Sequence, residues 1–442
     1  MIGNDKLLPY GWSERMRGNS AWNRLNFNSN VDFTLTLEDA GFQFRRMLFE
    51  DILPLWSTVG IDRMRGGFCE SISQEGRIPT SARRVRVTAR QIYSFCEAAR
   101  LGWNKTAAAA CLRHGYRFLL NYSAPDGLLF HGLSDDDSLV DQDHHLYDQA
   151  FLLFAYAHSF AHLQDEDYRR RALLTLASLK ERLGHDAGGF KDHTAAPYPL
   201  RSNPHMHLLE AALAWMELDA NPTWRMLADE IVALFKSRFY DPDHGVVREF
   251  FHADWSVIDE DGRSRIEPGH NFEWAWLLIR WSQATGGKIG DRAERMIAFA
   301  EQHGVDPVRR VAVNEVWSDG LIADGKARLW PQTERLKAWL ALADVREGQG
   351  RWSAEQNALE ACRGLFAYLD VDARGTWHDV MLEDGSFNAG PAPASSLYHI
   401  ICALGELMRY LERQTVTGAL DRYGDKAEVP SPMPAGIIMG ML

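Results

Sequence analysis

Residues 267–276 read EPGHNFEWAW, and this stretch decides the fold. Glu-Pro-Gly is a helix-start signal. On the helix that follows, His270 and Glu273 are three apart and so are neighbours, while Trp274, Trp276, Leu277, Leu278 and Trp281 supply an apolar side. Chemically able side chains therefore stand where a loop turns into an apolar helix. Working outward, four stretches repeat the layout: TARQIY (88–93), HLYDQAF (145–151), SNPHMHLLE (202–210) and LWPQTE (329–334). A sixth, SSLYHI (395–400), adds the isolated His399. These segments are expected to converge on one pocket, with His270 and His399 as its acid/base pair, since an imidazole both takes and returns a proton near neutral pH.

Helical periodicity recurs over residues 37–56, 82–101, 104–121, 143–163, 166–184, 203–219, 221–239, 270–286, 289–304, 331–347, 351–370 and 394–413, which makes twelve helices. The gaps alternate between short and long. GWNK, DED and NPT suit tight turns between antiparallel neighbours. The long gaps carry a glycine turn followed by apolar and acidic or histidine residues: RGGFCES, PDGLLFHG, DAGGFKDH, DHGVVREFF, SDGLIADG and ARGTWHDV. Their markers Gly67, Gly127, Gly189, Gly245, Gly320 and Gly375 are 60, 62, 56, 75 and 55 residues apart, so a helix pair plus a loop is repeated six times. An open solenoid needs polar caps and has no reason to stop at six, whereas a closed ring has no ends. The expected fold is all-α: an (α/α)6 barrel of twelve helices over residues 37–413, with short β-hairpin loops over the pocket. Residues 1–36 read as an N-terminal arm and 414–442 as a C-terminal tail of low order.

Bulk properties exclude some classes of function. The formal charge of −12 argues against nucleic acid or anionic membrane as partner. Neither a signal peptide nor a run of about 18 apolar residues is present, which points to a cytoplasmic protein. Cys69, Cys96, Cys111, Cys362 and Cys402 are scattered and read as reduced core thiols. GxGxxG after a strand, GxxxxGK[ST], GxSxG and HExxH are all missing, so no nucleotide, metal or nucleophilic serine is indicated and no cofactor is expected.

Other constellations carry their own logic. In His205-Met-His207 the two rings point about 200° apart on a helix. His207 shares a face with Asn203, and the pair suits sugar hydroxyls better than a metal ion. Arg90 lies inside an apolar helix and must meet a carboxylate, carbonyls or a ligand. The 15 tryptophans offer flat faces for a pyranose, although many must be core. Arg83, Arg84 and Arg86 form a basic run that is either a phosphate site at the mouth or a solvated face.

Taken together, Arg90-Gln91, YDQAF, NPHMHLLEA, EPGHNFEWAWLL, WPQTE and YHI resemble the N-acylglucosamine 2-epimerase superfamily, in order, over about residues 37–413. The resemblance implies an (α/α)6 barrel and metal-independent proton transfer through a cis-enediolate. It makes His270 and His399 the acid/base residues and places Arg90, Tyr147, Asn203, His207, Glu273, Trp330 and Glu334 around the sugar. The ending WHDVMLEDGSFNAGPAPASSLYHI is similar to the mannose isomerase branch, which implies mannose/fructose interconversion on a monosaccharide by a monomer or homodimer. A 2-epimerase of the N-acylglucosamine or glucose/mannose type is the alternative on the same site. A six-hairpin glycosidase using Glu273 and Glu334, and a non-catalytic binding protein, are the readings from other classes.

Overall fold

A computed structural model of the 442-residue chain describes residues 36–195 and 198–423. All twelve expected helices are present: α1 (Leu37–Met47, continued by a π turn at Leu48–Ile52 into Leu53–Trp56), α2 (Val85–Arg100), α3 (Lys105–Asn121), α4 (Leu146–Leu163), α5 (Glu166–Leu183) and α6 (Ser202–Met216). After these come α7 (Pro222–Leu234, then a π turn at Phe235–Phe239), α8 (Pro268–Thr285), α9 (Arg292–Gly304), α10 (Trp330–Asp344), α11 (Gly348–Leu369) and α12 (Ser396–Tyr423). The last helix runs past residue 413, where the sequence period fades. The expected arm, apart from Thr36, and residues 424–442 of the expected tail lie outside the described residues.

The even-numbered helices form an inner ring. Each packs on the next, and α12 packs back on α2, which closes the circle. The odd-numbered helices pack outside, each against an inner partner. Burial follows the sequence pattern. On α3 the buried residues are Ala108, Cys111, Leu112, Gly115, Phe118 and Leu119, a stripe at helical spacing, whereas α8 is buried on nearly every side from Pro268 to Ile279. Asn104, Asp165 and Asn221 cap outer helices with their side chains, at the short turns. The inner helices α2, α4, α6, α8 and α10 begin without a side-chain cap; the first N–H of α2, α4 and α6 goes to a loop carbonyl (His131, Asp192 and Glu249), and the positive dipole ends face the mouth.

Among the described residues the long loops contain four hairpins, one of them Tyr240–Asp241 with Val246–Val247. They also pair with one another, which local sequence does not predict. Arg83–Arg84 pairs with Gly132–Leu133, His145 with His193, Leu200–Arg201 with Phe250–Phe251, and Arg265–Ile266 with Val316–Trp317. Ala327–Arg328 with Val380–Met381 and Ser71–Ile72 with Ala392–Pro393 complete a second closed ring above the helices. At the opposite end, Arg409 bridges Glu97 (3.0 Å) and Glu406 (2.7 Å), and Arg280 reaches Glu406 (2.7 Å) and Glu217 (2.6 Å). All five cysteines are buried and free, and among the described residues no helix is long and apolar enough to cross a membrane.

Candidate active site

The site is built at the N-terminal ends of the inner helices. Trp330, the first residue of α10, stands between two imidazoles: its ring centroid is 5.1 Å from that of His270 and 5.6 Å from that of His399. The two rings are therefore no more than 10.7 Å apart, the sum of those distances. Gly269 makes this approach possible, because a Cβ there would lie 2.5 Å from the indole.

Each imidazole is anchored through Nδ1. His270 Nδ1 lies 3.0 Å from Glu249 Oε2 and 3.8 Å from Glu267 Oε1, and His399 Nδ1 lies 2.8 Å from Glu334 Oε1. Among the described residues neither Nε2 has a partner, so one nitrogen of each ring is left for a ligand. Their environments then drive the two rings apart in protonation. Burial works against the charged form of His270, but Glu249 and Glu267 outweigh it and push the ring up to about 10. Burial raises the Glu249 carboxyl as well, against the opposing pull of the His270 charge. His399 is held well below its ordinary value by burial and by the charges of Arg90 and Lys337. At neutral pH one imidazole is a cation and the other a neutral base, the separation that acid and base roles require.

A polar cluster fills the floor. His207 Nδ1 lies 3.4 Å from Glu210 Oε2 and 3.7 Å from Glu273 Oε1, and Tyr398 donates its hydroxyl proton to Glu210 Oε2. Glu273 is pushed well above the carboxylate range by burial and the neighbouring Glu334, which favours its protonated, hydrogen-donating form. Burial lowers His207 to about 4, which keeps it neutral. Arg90 donates to Tyr147 Oη (2.5 Å) and to the Ser395 carbonyl (3.1 Å) and lies over the Phe151 ring (4.1 Å). The requirement for a partner is thus met by a carbonyl and a phenol, without a carboxylate. The structure brings Arg90, Tyr147, His207, His270, Glu273, Trp330, Glu334 and His399 into one chain of contacts. Asn203, one turn before His207 on α6, has its side-chain Oδ1 buried without a partner.

Three sequence expectations are refined. His270 and Glu273 are neighbours on α8, but the ring turns back to Glu249 and Glu267 while Glu273 faces His207. Of the two imidazoles in His205-Met-His207, His205 is the structural one: its Nε2 accepts from the Phe190 N–H (3.0 Å) and its Nδ1 meets the Arg201 carbonyl (2.9 Å). In the basic run each guanidinium has a carboxylate partner: Arg83 pairs with Asp137 (2.9 Å), Arg84 with Glu70 (2.8 Å) and Arg86 with Asp148 (3.0 Å). Glu249 and Lys337 were not found from sequence. Nothing local links Glu249 to a histidine 21 positions away, and Lys337 reads as an ordinary helix residue.

Some of these donors come close enough for an ion: His207, Glu210 and Glu273, and Glu273, Glu334 and His399, each bring one atom within 4.8 Å of the others. The fit is poor. A lysine ammonium, Lys337 Nζ, already lies 2.6 Å from Glu334, and the nitrogen of His399 facing these carboxylates is committed to one of them.

Comparison with known proteins identifies the family and the barrel. The N-acylglucosamine 2-epimerase (GlcNAc 2-epimerase) family profile matches residues 66–403. "Mannose-6-phosphate isomerase" from Rhizobium meliloti is 40% identical over 369 residues, covering 82% of this chain and 95% of that protein. Among solved structures, cellobiose 2-epimerase from Spirochaeta thermophila superposes with a TM-score of 0.73 at 23% identity, covering 86% of this chain and 98% of that one. A D-mannose isomerase gives 0.74 at 19% identity, covering 83% and 97%. These structural likenesses establish the barrel; the family profile and the 40% identical relative establish descent. The chain belongs to the N-acylglucosamine 2-epimerase family and is an isomerase or 2-epimerase.

Proposed function

We propose that the protein is an aldose–ketose isomerase acting on a mannose-type hexose, with His399 as base and His270 as acid. The observation that supports this most is the pair of imidazoles flanking Trp330, each tied through Nδ1 so that Nε2 is left for the sugar. In the ring-opened aldose the C2 proton is acidified by the C1 carbonyl. Neutral His399 takes that proton while the His270 imidazolium gives one to O1, forming a cis-enediol. His270 then recovers a proton from O2, and His399 returns its proton to C1. The product is the ketose, and both rings regain their starting states.

The remaining residues are assigned by their chemistry. Arg90, Tyr147, Asn203, His207 and protonated Glu273 hydrogen-bond the sugar hydroxyls and the developing enediolate oxygens. The uncapped N-terminal ends of the inner helices favour the same negative charge. Trp330 offers an apolar face between the two imidazoles. Glu334 acts from behind His399 rather than on the sugar. A 2-epimerase would need the second ring to deliver its proton to carbon. A proton gripped by Glu249 and Glu267 suits an oxygen partner better, and this favours the isomerase.

One observation favours a second reading in which the hexose carries a 6-phosphate: the name of the 40% identical relative. Against it, Arg83, Arg84 and Arg86 are each spent on a carboxylate. The test is incubation with mannose, mannose 6-phosphate, glucose and N-acylglucosamine in heavy water. Deuterium at C1 of a ketose supports isomerisation, and the ratio of kcat/KM for mannose and its phosphate chooses between the two substrates. Deuterium confined to C2 of an epimeric aldose refutes the isomerase reading, and the lack of exchange with every sugar refutes both.

A further inference from the structure

Lys337 sits on α10 one turn beyond Glu334, with its side chain fully buried (0% exposed) in the floor of the barrel. Helical propensity alone would accept leucine or methionine here, and an ammonium out of water is costly unless it is paired. It is paired from several sides. Nζ lies 2.6 Å from Glu334 Oε2, 3.7 Å from Cys402 Sγ and 3.7 Å from the centroid of the Trp276 ring. The groups around it are Glu334 on its own helix, Glu210 on α6, Glu273 and Trp276 on α8, and Cys402 on α12. His207 on α6 and Tyr398 and His399 on α12 lie in the same cluster.

The two oxygens of the Glu334 carboxylate are divided between two partners: Oε2 takes the ammonium and Oε1 takes His399 Nδ1. We propose that Lys337 is a positioning residue for the proton transfer: its ammonium fixes the Glu334 carboxylate where it accepts the Nδ1 proton of His399, which turns the Nε2 lone pair to the sugar. This rests on the two-histidine reading above and adds what sets the tautomer of the base. Buried without a cation beside it, Glu334 would take up a proton. Burial holds its carboxyl above the ordinary carboxylate value, and Lys337 is the strongest charge limiting that rise. A protonated Glu334 could not hold the imidazole in the required tautomer. The same ammonium also disfavours the protonated form of His399, so it keeps the base free as well as aligned.

The experiment is Lys337→Met, which keeps the length of the side chain and removes its charge. Active enzyme needs Glu334 ionised and His399 neutral, and loss of the ammonium raises the proton affinity of both. The acid limb of kcat/KM therefore moves to higher pH by at least about one unit, kcat at neutral pH falls at least about tenfold, and KM stays within about threefold. A residue that only neutralised charge for folding would change the melting temperature and leave the pH limb in place. Because Lys337 acts through Glu334, adding Lys337→Met to Glu334→Gln is expected to change kcat by less than about threefold. An unmoved acid limb with wild-type kcat overturns the proposal, and so does an equal loss in both backgrounds. Should Lys337→Met not fold, the neutral pair Glu334→Gln/Lys337→Met is compared with Glu334→Gln, and a further loss of about tenfold overturns it. His399→Asn is measured in parallel. Its inactivity beside an unaffected Lys337→Met sinks this inference alone, whereas its activity sinks the two-histidine reading itself.

Discussion

Replacing Glu249 by glutamine tests the electrostatic half of the site. The carboxylate lies 3.0 Å from His270 Nδ1 and is buried, and the amide that replaces it can still accept the Nδ1 proton through its oxygen. Ring orientation is therefore kept while the charge is removed. At 3.0 Å and an effective dielectric near 20 the attraction is about 5.5 kcal/mol. That is an upper bound, since measured shifts from a close opposite charge are about 1–3 pH units, or about 1.4–4 kcal/mol. Glu267 remains at 3.8 Å and retains part of the effect. Loss of Glu249 lowers the pH at which His270 gives up its proton, and His270 must be protonated to act. The alkaline limb of kcat/KM is therefore expected to fall from near 10 to roughly 7–9, with little change at pH 6. The assay is the initial rate of ketose formation from pH 5 to 10.5. An alkaline limb that stays in place, or moves up, refutes the reasoning.

Three further outcomes are expected. His270→Asn and His399→Asn each lose at least about 10²-fold in kcat while thermal melts stay close to wild type; retention within tenfold in either variant rejects its catalytic role. Gly269→Ala puts a Cβ 2.5 Å and 2.6 Å from two carbons of the Trp330 indole, so the ring between the two imidazoles must tilt. A drop of roughly tenfold in kcat/KM with about 1–3 kcal/mol of stability is expected, and unchanged kinetics would show that the indole position is not critical. Arg409→Met removes the cation shared by Glu97 and Glu406, each of which keeps one arginine (Arg100 and Arg280), and costs about 1–3 kcal/mol in urea unfolding. Glu97 is held at about 2 against an ordinary 4.5, since Arg409 and Arg100 outweigh burial. Its folded value is depressed, so its contribution is present above pH 4.5 and is lost as the pH falls towards 2. The variant should show a shallower loss over that interval, and equal slopes would contradict the assignment.

Much of this architecture is legible in sequence because it depends on local signals. Apolar residues at helical spacing mark every helix, and the polar clusters at Arg90, Tyr147, His207, His270, Trp330 and His399 mark which ends face the mouth. The ring could be inferred because six equal units have no natural stopping point until they close. The illegible parts depend on contacts remote in sequence. The pairing of Ser71–Ile72 with Ala392–Pro393 joins the first long loop to the last, and no turn signal specifies such a partner. Glu249 sits in a loop with an ordinary glycine turn, and only the packing of that loop on α8 brings it to His270. The partners of the basic run at Arg83, Arg84 and Arg86 are illegible for the same reason, because Asp137, Glu70 and Asp148 come from elsewhere in the chain.

The central claim is that two imidazoles flank one reacting carbon pair, and a crystal structure with a linear hexitol, which mimics the ring-opened sugar, tests it most directly. The account predicts C1 and C2 of the hexitol beside Trp330, with His399 Nε2 within about 3.5 Å of C2 and His270 Nε2 at hydrogen-bond distance from an oxygen on C1 or C2. A hexitol bound elsewhere, or bound there with both Nε2 atoms turned away from it, would contradict the account.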